Sequence, residues 1–230
     1  VPTGNFGDIL AGYFARELGL PVGTLVCASN ANNVLTDFIR TGRYDKKRPF
    51  YLTSSPSMDI LVSSNLERLL FLLSGDEQLV AKLMRQLYEV PEELKEKIQS
   101  LFWAGCCGDD ETKRTIGRVW QEHHYLCDTH TAVAWNVAQQ YKAANPAHAP
   151  VVVLSTASPY KFPAAVLEGL GEKAEGDEFA VMEQLERLTG IPAPKNLRGL
   201  RERPVRHTTV LDREEMLPFV LEKAQEKKWF

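Results

Sequence analysis

The segment Thr3-Gly4-Asn5-Phe6-Gly7-Asp8 holds the residue types that a chain needs to cradle an anion. Two glycines flank Asn-Phe just before a run whose apolar residues, Ile9, Leu10, Phe14 and Leu18, fall at helical spacing. Glycine lets backbone N–H groups approach an anion with no Cβ in the way. A helix start adds unpaired N–H donors and the positive end of the helix dipole. No Lys-Ser/Thr pair follows the second glycine, so this is not a Walker loop, and there is no GxGxxG dinucleotide fingerprint. Asp8 in the first turn suits the dipole but repels a dianion. Its carboxylate must therefore turn away, cap its own helix or meet a positive group. The same pattern also describes a plain loop entering a helix, with glycines for tight packing.

A second chemical segment is Ser155-Thr156-Ala157-Ser158-Pro159, directly after the apolar run Val151-Val152-Val153-Leu154. Open α/β sheets bind ligands at the carboxyl ends of their strands. Ser158 before Pro159 is a good helix cap, which leaves Thr156 free for a ligand. Lys161 has the reach to meet an anion, although a lysine near a helix start is usually solvated. His130, after Asp128-Thr129, is at a helix start, where a cap or packing role competes with acid–base work. Asp59, after Ser57-Met58, is equally ambiguous. No nucleophile-elbow sequence is present. Cys27, Cys106, Cys107 and Cys127, with His123 and His124, show no CxxC or HxxxH spacing, so no metal site is expected.

These segments need elements to position them. Helical spacing predicts a helix from Gly7 to Leu18, stopped by Gly19-Leu20-Pro21. Leu25 to Ala28 reads as a buried strand and Val151 to Leu154 as the clearest strand of the chain. A helix from Asn32 or Asn33 to Arg40 follows, then a loop from Tyr44 to Pro56. Ser64-Asn65-Leu66-Glu67 has capping-box spacing. It opens a stretch through Leu101 that reads as an all-helical insertion beside the sheet. Helices are expected from Asp109 or Asp110 to His124, from Asp128 or Thr129 to Ala144, and from Ser158 to Leu170. Two more run from Asp177 to Thr189 and from Asp212 to Lys228, around a surface excursion at 190–210. Loop, helix, turn and buried strand in that order make half of a parallel α/β unit. Two or three visible strands are too few for a complete sheet. The chain is therefore expected to be part of a longer one.

The 230 residues are 44% hydrophobic and 25% charged, enough to bury a core. With 27 basic and 30 acidic residues the formal charge is −3, which leaves no basic excess for a nucleic acid. No apolar run approaches the roughly 18 residues of a membrane span, and no signal peptide is expected. Four cysteines are too few for a disulfide framework and fit a cytoplasmic protein with reduced thiols.

Pro2-Thr3-Gly4-Asn5-Phe6-Gly7-Asp8, continuing through Ile9-Leu10-Ala11-Gly12, resembles the phosphate loop of threonine synthase. Ala28-Ser29-Asn30-Ala31-Asn32, Ser55-Pro56-Ser57-Met58-Asp59, Asp109-Asp110-Glu111-Thr112 and Asp128-x-His130-Thr131-Ala132-Val133-Ala134 are similar to further family segments. Ser155-Thr156-Ala157-x-Pro159-x-Lys161-Phe162 resembles its last active-site motif. The blocks keep family order to about residue 165, and the match is less clear after about 175.

The resemblance implies an incomplete part of a tryptophan-synthase-β-like fold (pyridoxal-phosphate fold type II): a parallel sheet flanked by helices, with a helical insertion at about 64–101. It implies a division into catalytic fold at 1–175 and helical extension at 176–230. The implied cofactor is pyridoxal 5′-phosphate, with its phosphate on Gly4, Asn5, Phe6, Gly7 and Asp8 and its ring nitrogen on Thr156. Asp59, His130 and Lys161 are implied near the substrate or behind the site. The implied reaction converts O-phospho-L-homoserine and water to L-threonine and phosphate. The family's Schiff-base lysine precedes the phosphate loop, so no catalytic residue is expected in this chain and an N-terminal half is its expected partner. The competing readings are a non-catalytic relative that binds phosphorylated ligands, and an interaction module docking through 64–101.

Overall fold

The computed structural model describes residues 1–84 and 88–226. It forms two compact units, Val1–Ala193 and Pro194–Phe230, so the first unit extends past the 175/176 division drawn from the sequence. In the first unit α1 (Gly7–Glu17) leads to β1 (Leu25–Ser29), α2 (Val34–Thr41) and β2 (Arg43–Tyr44). α3 (Leu66–Ser74), α4 (Glu77–Met84), β3 (Tyr88–Glu89) and α5 (Glu92–Leu101) follow, then β4 (Phe102–Cys106). α6 (Asp109–His123), α7 (Thr129–Ala144), α8 (Pro163–Gly169) and α9 (Glu178–Thr189) complete it.

β1 pairs in parallel with β4, from Leu25 opposite Phe102 to Ser29 opposite Cys106. Residues 1–3 run along the other edge of β1, where Thr3 N–H donates to Ala28 O (2.8 Å) and Ala28 N–H to Val1 O (3.1 Å). β1 is apolar on both sides because both its faces are covered. One face joins a core of Phe6, Ile9, Leu25, Phe38, Leu70 and Phe102. The other meets Met58 and the small residues of α7, Val133, Ala134 and Val137. α3 and α5 contribute Leu66, Leu69, Leu94 and Ile98 to the first core.

The structure departs from the sequence reading at five points. Residues 151–154 form no strand: they are irregular and join no ladder among the described residues. Val153 packs on the second core while Val152 is 79% exposed, so the run has the period of a strand with no ladder partner. β4 was missed, because Phe-Trp-Ala-Gly-Cys lacks β-branched residues and follows α5 with no loop. Its Gly105 is needed for close approach: an added Cβ would lie 3.0 Å from Val137 Cγ1 and 2.9 Å from Gln140 Oε1 of α7. The 64–101 stretch is not all-helical, since Tyr88–Glu89 pairs antiparallel with Arg43–Tyr44. Ser64 makes no capping box. Asn65 stands at the N-cap without a side-chain cap, and Ser64 bonds elsewhere. The buried face of α1 also differs in detail: Tyr13 joins Ile9 and Leu10, while Phe14 is 44% exposed.

The second unit holds α10 (Lys195–Arg198) and α11 (Met216–Glu226), the latter preceded by a capping box between Asp212 and Glu215. The end of the helix expected to reach Lys228 lies outside the described residues. No helix among the described residues is long and apolar enough to cross a membrane.

Candidate functional site

The loop after residues 1–3 turns at Gly4 and Asn5 into Phe6, which adopts φ 62°. The Phe6 ring is fully buried, 5.6 Å from that of Phe102. A left-handed conformation costs a non-glycine residue about 1–2 kcal/mol, so the burial of the ring holds the backbone there. α1 begins at Gly7 with Phe6 as its N-cap and no side-chain cap. Leu10 N–H reaches Phe6 O at 3.2 Å, which leaves the N–H groups of Gly7, Asp8 and Ile9 without an acceptor inside the helix. Asp8 is exposed in that first turn.

Two neighbours brace this loop. A Cβ on Gly4 would lie 2.8 Å from Met58 Cα and 2.9 Å from Ser57 O, so only glycine fits against the 57–58 backbone. On the other side Asn5 Oδ1 accepts from Ser64 N–H (2.7 Å) and Ser64 Oγ (2.8 Å), and Asn65 Nδ2 donates to Asn5 O (2.8 Å). Arg68 donates to Asn65 Oδ1. The starts of α1 and α3 therefore lie side by side, with the positive ends of two helix dipoles and one arginine on a single rim.

The braces lead on to the other predicted residues. Asp59 Oδ1 accepts from Asn30 Nδ2 (2.7 Å), Asn32 Nδ2 (3.0 Å) and Thr53 Oγ1 (2.7 Å), and its Oδ2 from Thr53 N–H (2.9 Å). It organises the 53–59 loop through these bonds. Ser57 N–H donates to His130 Nε2 (3.1 Å), and His130 Nδ1 lies 3.0 Å from Asp128 Oδ1. Asp128 is the N-cap of α7, accepting from His130 N–H (2.8 Å) and Thr131 N–H (3.4 Å). Thr131 Oγ1 bonds to Asp128 Oδ2 and lies 3.3 Å from Ser155 Oγ, which also accepts from Tyr125 OH (2.9 Å). Thr156 is exposed beside Ser155, and Ser158 caps the short turn at Pro159–Lys161. The Phe162 ring is 4.9 Å from that of His130, and exposed Lys161 places its Nζ 5.4 Å from the Phe162 ring.

A continuous chain of contacts thus joins Gly4 to Ser155 through Ser57, His130, Asp128 and Thr131. The sequence reading singled out Gly4, His130 and Thr156 separately. It missed Ser57, Ser64 and Asn65 as braces, for which backbone proximity gives no sequence signal. The Asp128-x-His130 spacing was such a signal, since an N-cap carboxylate can also accept from the ring two residues on.

All four cysteines are free thiols. Burial pushes the Cys27 and Cys107 thiols up to about 11 and the Cys127 thiol up to about 12. They stay protonated and poorly nucleophilic near neutral pH. No group of three metal-ligating side chains occurs among the described residues.

Comparison with known proteins adds the following. The family model described as threonine synthase, C-terminal, matches residues 131–217. Threonine synthase-like 1 of Macaca fascicularis is 44% identical over 177 residues, covering 74% of this chain and 23% of that protein. Threonine synthase of Pseudomonas aeruginosa is 42% identical over 179 residues, covering 75% and 38%. Among solved structures, pyridoxal-phosphate-bound threonine synthase from Brucella melitensis superposes with a TM-score of 0.79 at 35% identity over 98% of this chain and 45% of that one. The yeast enzyme gives 0.81 at 29% identity over 98% and 47%. The chain thus spans less than half the length of these relatives. Fold, loop and motif order thus all resemble the C-terminal portion of the threonine synthases, of which the Brucella melitensis protein is solved with pyridoxal phosphate bound.

Proposed function

We propose that this chain carries the phosphate cradle and the ring-nitrogen partner of a pyridoxal-phosphate site, in a threonine synthase that converts O-phospho-L-homoserine and water to L-threonine and phosphate. The observation that carries this reading is the uncapped start of α1, with three open amides and a glycine pressed on the 57–58 backbone. Those amides would hold the cofactor phosphate, helped by the neighbouring start of α3. The exposed Thr156 hydroxyl would meet the pyridine nitrogen. A neutral hydroxyl, unlike a carboxylate, does not force that nitrogen to stay protonated, which suits elimination and replacement over transamination. Pyridoxal phosphate, when bound, supplies the electron sink for loss of phosphate from the γ-carbon and addition of water at the β-carbon. The lysine that bonds the cofactor, and most groups for the substrate's carboxylate and phosphate, would come from an N-terminal half. Lys161, exposed over Phe162, is not assigned that role.

Titration calorimetry tests the reading: the protein should bind pyridoxal phosphate and, more weakly, inorganic phosphate. Neither ligand binding would sink it. A second test adds O-phospho-L-homoserine to the chain with and without an N-terminal half that contains the lysine. Threonine should form only in the first case, and catalytic turnover by the chain alone would contradict the division of roles.

One observation favours a second reading. Relatives named threonine synthase-like 1 match this chain at 42–44% identity, as closely as the relative named threonine synthase at 42%. A non-catalytic protein of the same fold would bind phosphorylated ligands through the same loop, and absence of the upstream lysine would select it. An apolar groove of about 610 Å³, walled by Phe14, Phe71, Leu72 and Val80, is the feature an interaction role at 64–101 would use.

A further inference from the structure

We propose that His130 is a positioning residue that fixes the anion loop at residues 4–8 relative to the segment carrying Thr156. The proposal rests on the reading of that loop and Thr156 as two ends of one cofactor site. His130 is buried, 2% exposed, and both ring nitrogens are engaged. Ser57 N–H donates to Nε2, so the lone pair is there and the ring hydrogen is on Nδ1, directed at Asp128 Oδ1. On one side the ring therefore fixes the 57–58 backbone, which presses on Gly4 so closely that no Cβ fits. On the other it is locked by Asp128, whose second oxygen bonds Thr131, and Thr131 contacts Ser155, next to Thr156. The third contact is the Phe162 ring at 4.9 Å, from the same motif as Thr156.

An imidazole suits this position because it accepts a backbone N–H at one edge while donating to a carboxylate at the other. Removing the acceptor leaves the Ser57 amide unpaired beside Gly4, and frees the 57–58 backbone to shift relative to α7. A merely structural histidine would affect melting alone. A positioning histidine also sets affinity for a ligand long enough to touch both ends, and affects a short ligand less.

The test compares wild-type protein, His130→Phe and His130→Gln. Pyridoxal phosphate and inorganic phosphate are each titrated calorimetrically, well below every variant's melting temperature. Phe keeps the ring's bulk but removes the acceptor, and Gln can restore an acceptor for Ser57. His130→Phe should weaken pyridoxal phosphate about tenfold, the usual effect of one orphaned buried donor, with a smaller loss for phosphate. His130→Gln should recover most of that loss. Unchanged pyridoxal phosphate affinity in folded His130→Phe overturns the positioning role and leaves the cradle reading standing. Binding of neither ligand by the wild-type protein overturns the cradle reading and this assignment with it. A second readout needs no variant: ring-nitrogen NMR of the wild-type protein should show hydrogen on Nδ1 and a lone pair on Nε2. The opposite tautomer contradicts the proposal.

Discussion

The two segments proposed to meet at the cofactor are built in opposite ways. The 4–8 loop is braced by the core and by its neighbours: Phe6 is fully buried, Gly4 touches backbone, and Asn5 is held by Ser64 and Asn65. Residues 151–156 join no ladder among the described residues and are exposed at Val152 and Thr156. The difference teaches where each end's precision comes from. The phosphate end is shaped by its own tertiary contacts. The ring end is anchored by Val153 on the second core and, from Ser155 onward, through Tyr125, Thr131 and the Ser158 cap. Changes in the first should damage fold and binding together, whereas changes in the second should damage binding alone.

The largest effect to break this contrast is expected at Phe6. Phe6→Ala should cost about 3–5 kcal/mol in denaturant unfolding, since it empties a fully buried site. Phe6→Gly should be milder by about 1 kcal/mol, because glycine tolerates φ 62°. Equal losses would mean that the left-handed backbone carries no strain.

Next comes Gly4→Ala, whose Cβ would sit 2.8 Å from Met58 Cα. It should lower stability by about 1–3 kcal/mol, by overpacking, and abolish phosphate binding by calorimetry. Full phosphate affinity in this variant would remove the loop from the site.

At the open end, Thr156→Val should leave stability within about 0.5 kcal/mol, as expected of an exposed position. It should nonetheless weaken pyridoxal phosphate by up to about tenfold and leave inorganic phosphate unchanged. A stability loss as large as that of Gly4→Ala would end the contrast between the segments.

The smallest effect is alkaline. Cys27 lies in β1, fully buried behind the braced end, and burial raises its pKa from 9.0 to about 11. A thiol with a raised folded pKa holds its proton more tightly folded than unfolded. The stability it contributes is complete below about pH 9 and is lost as pH climbs toward 11. Alkylation of Cys27 at pH 8 should accordingly be slower than that of the partly exposed Cys106. Equal rates would show that the braced end opens readily.

Much of this architecture was legible in the residues. Asp128 and Asp177 cap the helices their types predicted, and the Gly-Asn-Phe-Gly pattern does open a helix. Apolar runs were the weaker guide, because a strand is defined by its neighbour. Val151–Leu154 has strand residues and no ladder, whereas Phe102–Cys106 has poor strand residues and a full one. Ser64 had the spacing of a cap, but Asn5, distant in sequence, competes for its hydroxyl. The role of His130 was illegible for the same reason, since its partner at Nε2 is a backbone amide that could have belonged to any residue.

The central claim is that residues 4–9 and 155–158 are two ends of one site. Its most direct test is a backbone amide NMR titration of the protein with pyridoxal phosphate and with inorganic phosphate. Pyridoxal phosphate should shift the amides of Gly7, Asp8 and Ile9 together with those of Thr156 and its neighbours, and phosphate should shift the first group alone. Shifts confined to a different surface, or a pyridoxal phosphate response that leaves residues 155–158 unmoved, would contradict it.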